Sequence, residues 1–199
     1  MSVVSIADAW PKRGEPFTVD DLERMPEDGR RYELIDGMLI VSPAPNVPHQ
    51  RVAFVLGIQL EGACPDDLVV FAAPVNIRFS FRSAVEPDVV VARAADSTGV
   101  RLTQMPLLVA EVLSPDSVLR DLNLKKAAYE RFGIPSYWVV DPDVDRPRLQ
   151  AFELDGDSYV QVADITGSET FRARRPFSVE IVPERLVAKL RFPLASGRP

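Results

Sequence analysis

Hydrophobic and polar positions switch period several times along the chain, and each switch marks an element. Thr18-Val19-Asp20-Asp21 has the capping-box form and predicts a short helix running to about Met25. Two apolar stretches then flank Asp36-Gly37 in YELIDGMLIV. Asp-Gly between such runs predicts a hairpin, because both turn residues tolerate positive φ. Ser42 to Pro48 is a proline-rich loop that ends the second strand. From His49 to about Ala63 the period becomes helical, with Val52, Val55, Leu56, Gln59 and Leu60 on one face. Beyond Pro65, the run Leu68 to Phe71 and the alternating Val75, Ile77, Phe79 and Phe81 read as strands. Asp88-Val-Val-Val-Ala is short and β-branched, which predicts a central strand, and Leu107 to Leu113 (LLVAEVL) reads as a second buried one.

Ser114-Pro115-Asp116 opens a further helix, with Ser114 or Asp116 as cap, that should stop at Gly133 ahead of Pro135. Tyr137 to Val140 is a third apolar strand. Leu149 to Val162 around Asp155-Gly156 predicts a second hairpin, and Phe177 to Val182 a last strand. Strands outnumber helices, yet two long helices alternate with them, so the class is α/β or α+β with a mixed sheet. No internal repeat is present; a single domain over residues 17–190 is expected between tails 1–16 and 191–199.

Composition narrows the chemistry. The 199 residues are 46% hydrophobic and 26% charged, as in a globular domain with a substantial core. One cysteine and one histidine exclude a disulfide framework and cysteine- or histidine-rich metal centres, so a metal here would be a hard cation held by oxygens. The net charge of −6 argues against a sequence-independent nucleic-acid coat but not against one local site. No secretory signal or membrane-spanning run is present, and the lone cysteine suits a reducing compartment, so a cytoplasmic location without membrane contact is expected.

Glu111 is the most informative position, since it lies within an apolar strand where a bare carboxylate costs several kcal/mol. It must be protonated, paired or bound to a metal, unless it sits at the strand rim. Asp88 begins the other buried strand, and an antiparallel pairing would bring it to Glu111; a divalent cation is one remedy for their repulsion. Asp88 alone also reads as a turn residue after Pro87. Asp121, Lys125 and Tyr129 fall at i, i+4 and i+8, which makes either a solvated helical ion pair or a lysine reaching back to the carboxylates. Glu33 is a third acid beside apolar residues. His49 and Gln50 start the first long helix, where a lone histidine is more often a surface or capping group than a catalyst. Arg30, Arg31 and Arg51 lie near these elements and could meet phosphates.

Together YELIDGMLIVSPAP, HQRV, EPDVVV, LLVAEVLSPDS and DLNLKKAAYERFGIPSYWVVDP resemble the Uma2 family of bacterial endonucleases over roughly residues 17–185. That family is assigned to the PD-(D/E)XK, or restriction-endonuclease-like, superfamily. The resemblance implies a mixed central sheet flanked by helices, with added hairpins and the site at one end of the sheet. Pro87-Asp88 matches the PD, Glu111 the acid of (D/E)XK, and Glu33 a glutamate that often joins the site. The usual lysine position is occupied by Leu113, and the resemblance places the lysine at Lys125 on the next helix. The activity it implies is Mg²⁺- or Mn²⁺-dependent phosphodiester hydrolysis. Asp88 and Glu111 would be the metal ligands, Lys125 and Glu33 further catalytic residues, and His49, Gln50, Asp121 and Tyr129 would lie nearby. DNA is the implied substrate, and a homodimer is expected from the fold's relatives. A nuclease-fold module that binds or assembles without cutting is the alternative from another class, favoured by the chain's acidity.

Overall fold

The computed structural model describes residues 14–97, 99, 101–114 and 117–190. Most of both expected tails (1–13 and 191–199) lies outside the described residues, as do Pro115 and Asp116 at the expected helix start.

A short helix α1, Val19–Leu22, is capped by Thr18, whose side chain and that of Asp21 bond reciprocally to each other's backbone N–H, as the capping box requires. Strands β1, Arg31–Ile35, and β2, Met38–Ser42, form the expected hairpin, with Asp36 at φ 52° and Gly37 at φ 80°. Helix α2, Val47–Glu61, begins two residues earlier than the sequence suggests: Asn46 is its cap, and Pro48 sits in the first turn, where its missing N–H costs nothing.

β3, Leu68–Ala72, follows. The stretch Val75–Phe81 does not form one strand. It gives β4, Ile77–Ser80, then a tight turn in which Phe81 is exposed, then β5, Ser83–Val85. Three residues after β5 the chain enters β6, Val89–Arg93, and later β7, Leu108–Val112. A π-helical turn, Arg120–Lys125, runs into α3, Lys126–Arg131. Gly133, at φ 73°, ends that helix as expected, with the Ile134 N–H closing on the Tyr129 carbonyl. β8, Ser136–Asp141, precedes the long hairpin of β9, Arg148–Asp155, and β10, Ser158–Thr166. β11, Phe171–Ala173, pairs with β12, Val179–Ile181, and α4, Pro183–Val187, closes the described chain.

Two larger sheets result. One is antiparallel, ordered β2-β1-β5-β4; the other is mixed, ordered β10-β9-β8-β7-β6-β3, with only β7 and β8 parallel. β6 is therefore not at the centre, as its β-branched run suggests, but one strand from the edge. It is buried because elements cover both faces of the sheet, and full burial does not require a central place. One face (Val89, Val91, Leu108, Ala110, Trp138, Val140) packs against α2, α4 and the small β11–β12 ribbon. The other (Val90, Val109, Tyr137, Val139) packs against α3 and the four-stranded sheet. The link Glu86-Pro87-Asp88 carries the chain directly from the smaller sheet to the larger one. No helix among the described residues is long and apolar enough to cross a membrane.

Candidate active site

The site arises from the period of two strands. β6 and β7 are antiparallel with Val89 opposite Ala110, so one step further Asp88 falls opposite Glu111. By alternation both share the face of Val90 and Val109. The antiparallel pairing on which the convergence of the two acids depends is thus present. β1 brings Arg31 and Glu33 over the same ground, two residues apart and hence on one face.

Asp88 is almost fully buried and is held on three sides. Its Oδ1 accepts from Arg31 at 3.0 Å, and its Oδ2 accepts from the Val112 N–H at 2.8 Å and lies 3.0 Å from His49 Nε2. Burial alone would raise this carboxyl. The hydrogen bond from His49, the positive charges beside it and the Val112 N–H outweigh that effect and hold it at about 2.

Glu111 is 1% exposed, and both bonds that fix it fall on Oε1, from Lys125 Nζ at 3.0 Å and from the Tyr129 hydroxyl at 2.6 Å. Here burial wins and pushes the carboxyl up to about 8 against the pull of the Lys125 ammonium; the negative charges of Asp88, Asp121 and Glu33 add to the push. Lys125 is 2% exposed and also 2.9 Å from Glu33 Oε1, which in turn accepts from the Glu86 N–H. Burial disfavours an ammonium, but Glu111, Glu33 and Asp121 around it raise its pKa well above the ordinary lysine range. The helical ion pair of Asp121 with Lys125 is longer, at 3.9 Å, and is buried rather than solvated.

Asp121 and Lys125 are both carried on the π-helical turn. Both are buried, and the Tyr137 hydroxyl donates to the Asp121 carbonyl. Lys126 lies over the ring of Phe152 instead, away from the acids.

These groups line a cavity of about 320 Å³ whose remaining wall comes from the proline loop after β2 and from Ser114, Ser117 and Arg120. The structure brings together Glu33, His49, Asp88, Glu111, Asp121 and Lys125 on that lining, with Tyr129 behind Glu111. Gln50 does not join them; it is exposed one step round α2. His49, which its position marks as a surface or capping group, is buried against Asp88. Sequence reasoning does not identify Arg31 as the partner of Asp88, although its place two residues before Glu33 is an available signal. Arg30 pairs with Asp28, and Arg51 lies over the Phe54 ring.

Among the described residues no three His, Cys, Asp or Glu side chains are grouped as a ready metal site. The three acids do not meet around one point: the cation between Glu33 and Glu111 is the Lys125 ammonium. Asp88 and Glu111 nevertheless fit a hard divalent ion. They lie across adjacent strands, and Glu111 Oε2 takes no part in the bonds from Lys125 and Tyr129, which leaves a carboxylate oxygen for such an ion, whereas both Asp88 oxygens already accept from Arg31 and the Val112 N–H.

The family model "Putative restriction endonuclease", Uma2, matches residues 19–186. The chain belongs to the Uma2 family. Among solved structures, it is similar to "a putative nuclease belonging to DUF820" from Anabaena variabilis, at TM-score 0.70 and 18% identity, over 88% of this chain and 99% of that one. The likeness shows the fold: a mixed α+β architecture with sheets flanked by helices. No curated protein matches.

Proposed function

We propose that this Uma2 protein is a metal-dependent endonuclease that hydrolyses phosphodiester bonds in DNA, with Mg²⁺ or Mn²⁺ held by Asp88 and Glu111. The observation that supports this most is the cross-strand placement of those two acids on one cavity, with the buried ammonium of Lys125 against Glu111. When bound, the cation supplies Lewis acidity toward a phosphate oxygen and a lower pKa for a water molecule. The chain's own residues do the rest. Arg31 and the Val112 N–H fix the Asp88 carboxylate, and Tyr129 fixes that of Glu111. Glu33, anchored by the Glu86 N–H, positions the Lys125 ammonium where negative charge grows on a phosphate in the transition state. A lysine from the helix can replace one at position 113, because the site of the ammonium matters and its place in the sequence does not.

A non-cutting module is the second reading, favoured by one observation: Asp88, Glu33 and Glu111 each already have an internal cationic partner. Incubation of plasmid and single-stranded DNA with Mn²⁺, Mg²⁺ or EDTA separates the two. Cleavage by the wild type that is lost in EDTA and in Asp88→Ala is expected. Cleavage that persists in the Asp88→Ala, Glu111→Ala double variant would place the activity elsewhere.

A further inference from the structure

Among the described residues, five buried side-chain polar atoms make no hydrogen bond: Ser42 Oγ, His49 Nδ1, Arg120 Nε, Asp121 Oδ1 and Ser136 Oγ. All except Ser136 belong to residues that line the cavity shared by Asp88 and Glu111. An unpaired buried polar group costs about 1–3 kcal/mol, so native structures rarely keep several together without a polar guest to satisfy them.

The cations of the cavity are unequal. Arg31 donates to Asp88, and Lys125 is enclosed by Glu33 and Glu111. The Arg120 Nε has no acceptor; the Asp121 Oδ1 facing it is 3.7 Å away, too far for a hydrogen bond but near enough to turn the guanidinium. The Arg120 side chain as a whole is 21% exposed and lines the cavity, although its Nε is itself buried. A guanidinium presents a planar fork that matches two oxygens of a phosphate, whereas an ammonium acts as a point charge.

We propose that Arg120 is the phosphate-gripping residue of this cavity, its guanidinium taking a phosphodiester monoanion in exchange for its long ion pair with Asp121. The unpaired Ser42 hydroxyl is a second donor on the same lining. The identity of the anion as part of a nucleic acid rests on the nuclease reading; the anion site itself rests on Arg120.

The test titrates ¹⁵N-labelled protein with dimethyl phosphate and follows the Arg120 Nε–Hε resonance, assigned by its disappearance in Arg120→Lys. A saturable shift is expected. In parallel, Arg120→Gln should weaken binding of a fluorescein-labelled oligonucleotide roughly tenfold and lower the slope of log K against log salt by about one, the signature of one lost phosphate contact. A resonance that stays still while the wild type cleaves DNA overturns the role of Arg120 and leaves the nuclease reading intact. A saturating resonance in a protein that cleaves no nucleic acid supports the anion site and refutes the nuclease reading. Unchanged oligonucleotide affinity and salt slope in Arg120→Gln would also overturn the proposal.

Discussion

Replacing Lys125 by methionine tests the charge balance on which the site depends. The change keeps the apolar stem and removes an ammonium that is 2.9 Å from Glu33 and 3.0 Å from Glu111, both 1% exposed. Two carboxyls are then left in the interior without the cation between them. Removing one partner of a buried pair costs up to about 3–5 kcal/mol where the remaining group stays charged, and less at pH 5, where the Glu111 carboxyl carries its proton. For a chain of this size that is a fall in melting temperature of roughly 6–20 °C. The loss must also depend on pH. A carboxyl whose folded pKa is raised, as that of Glu111 is to about 8, binds its proton more tightly folded than unfolded. Stability therefore declines as pH rises from the unfolded value of about 4.3 toward 8, and the variant, without the ammonium, declines more steeply. Urea unfolding of both proteins at pH 5 and pH 8 measures this. A deficit below about 1 kcal/mol at pH 8, or one equal at the two pH values, would refute the reasoning.

The same geometry fixes two further outcomes. Glu111→Gln keeps an acceptor for Tyr129 and leaves Lys125 paired with Glu33, so its stability relative to wild type should improve as pH rises from 5 to 8; a flat difference in unfolding midpoints would show that Glu111 does not titrate in that range. Gly37→Ala should destabilise by about 1–2 kcal/mol, since φ is 80° there and a Cβ would lie 2.6 Å from the Pro16 Cβ. An unchanged urea midpoint would mean that this turn relaxes freely.

The strands that build the site are legible in the sequence because their signals are local. EPDVVV and LLVAEVL carry an acid inside an apolar run, and an antiparallel pairing of the two is enough to bring Asp88 beside Glu111. The Asp36-Gly37 turn and the Gly133 stop are equally plain, since both depend on positive φ. Elements that depend on distant partners are not. The Val75–Phe81 alternation conceals a turn after Ser80, and β11 and α4 hold their places by packing against α2 and the larger sheet. The π-helical turn has no sequence signature, although the i, i+4 spacing of Asp121 and Lys125, both buried, already places them on one face. Nothing local shows that β1 and the first turn of α2 both face Asp88, so Arg31 and His49 are not legible as its partners, although the family resemblance places His49 near the site.

The most direct measurement is a calorimetric titration with Mn²⁺ of the wild type and of Glu111→Gln. Binding by the wild type, with a proton released from the Glu111 carboxyl near neutral pH, and no binding by the variant is the predicted result. Equal Mn²⁺ affinity in the two proteins, or no binding by either, would contradict a metal held between Asp88 and Glu111.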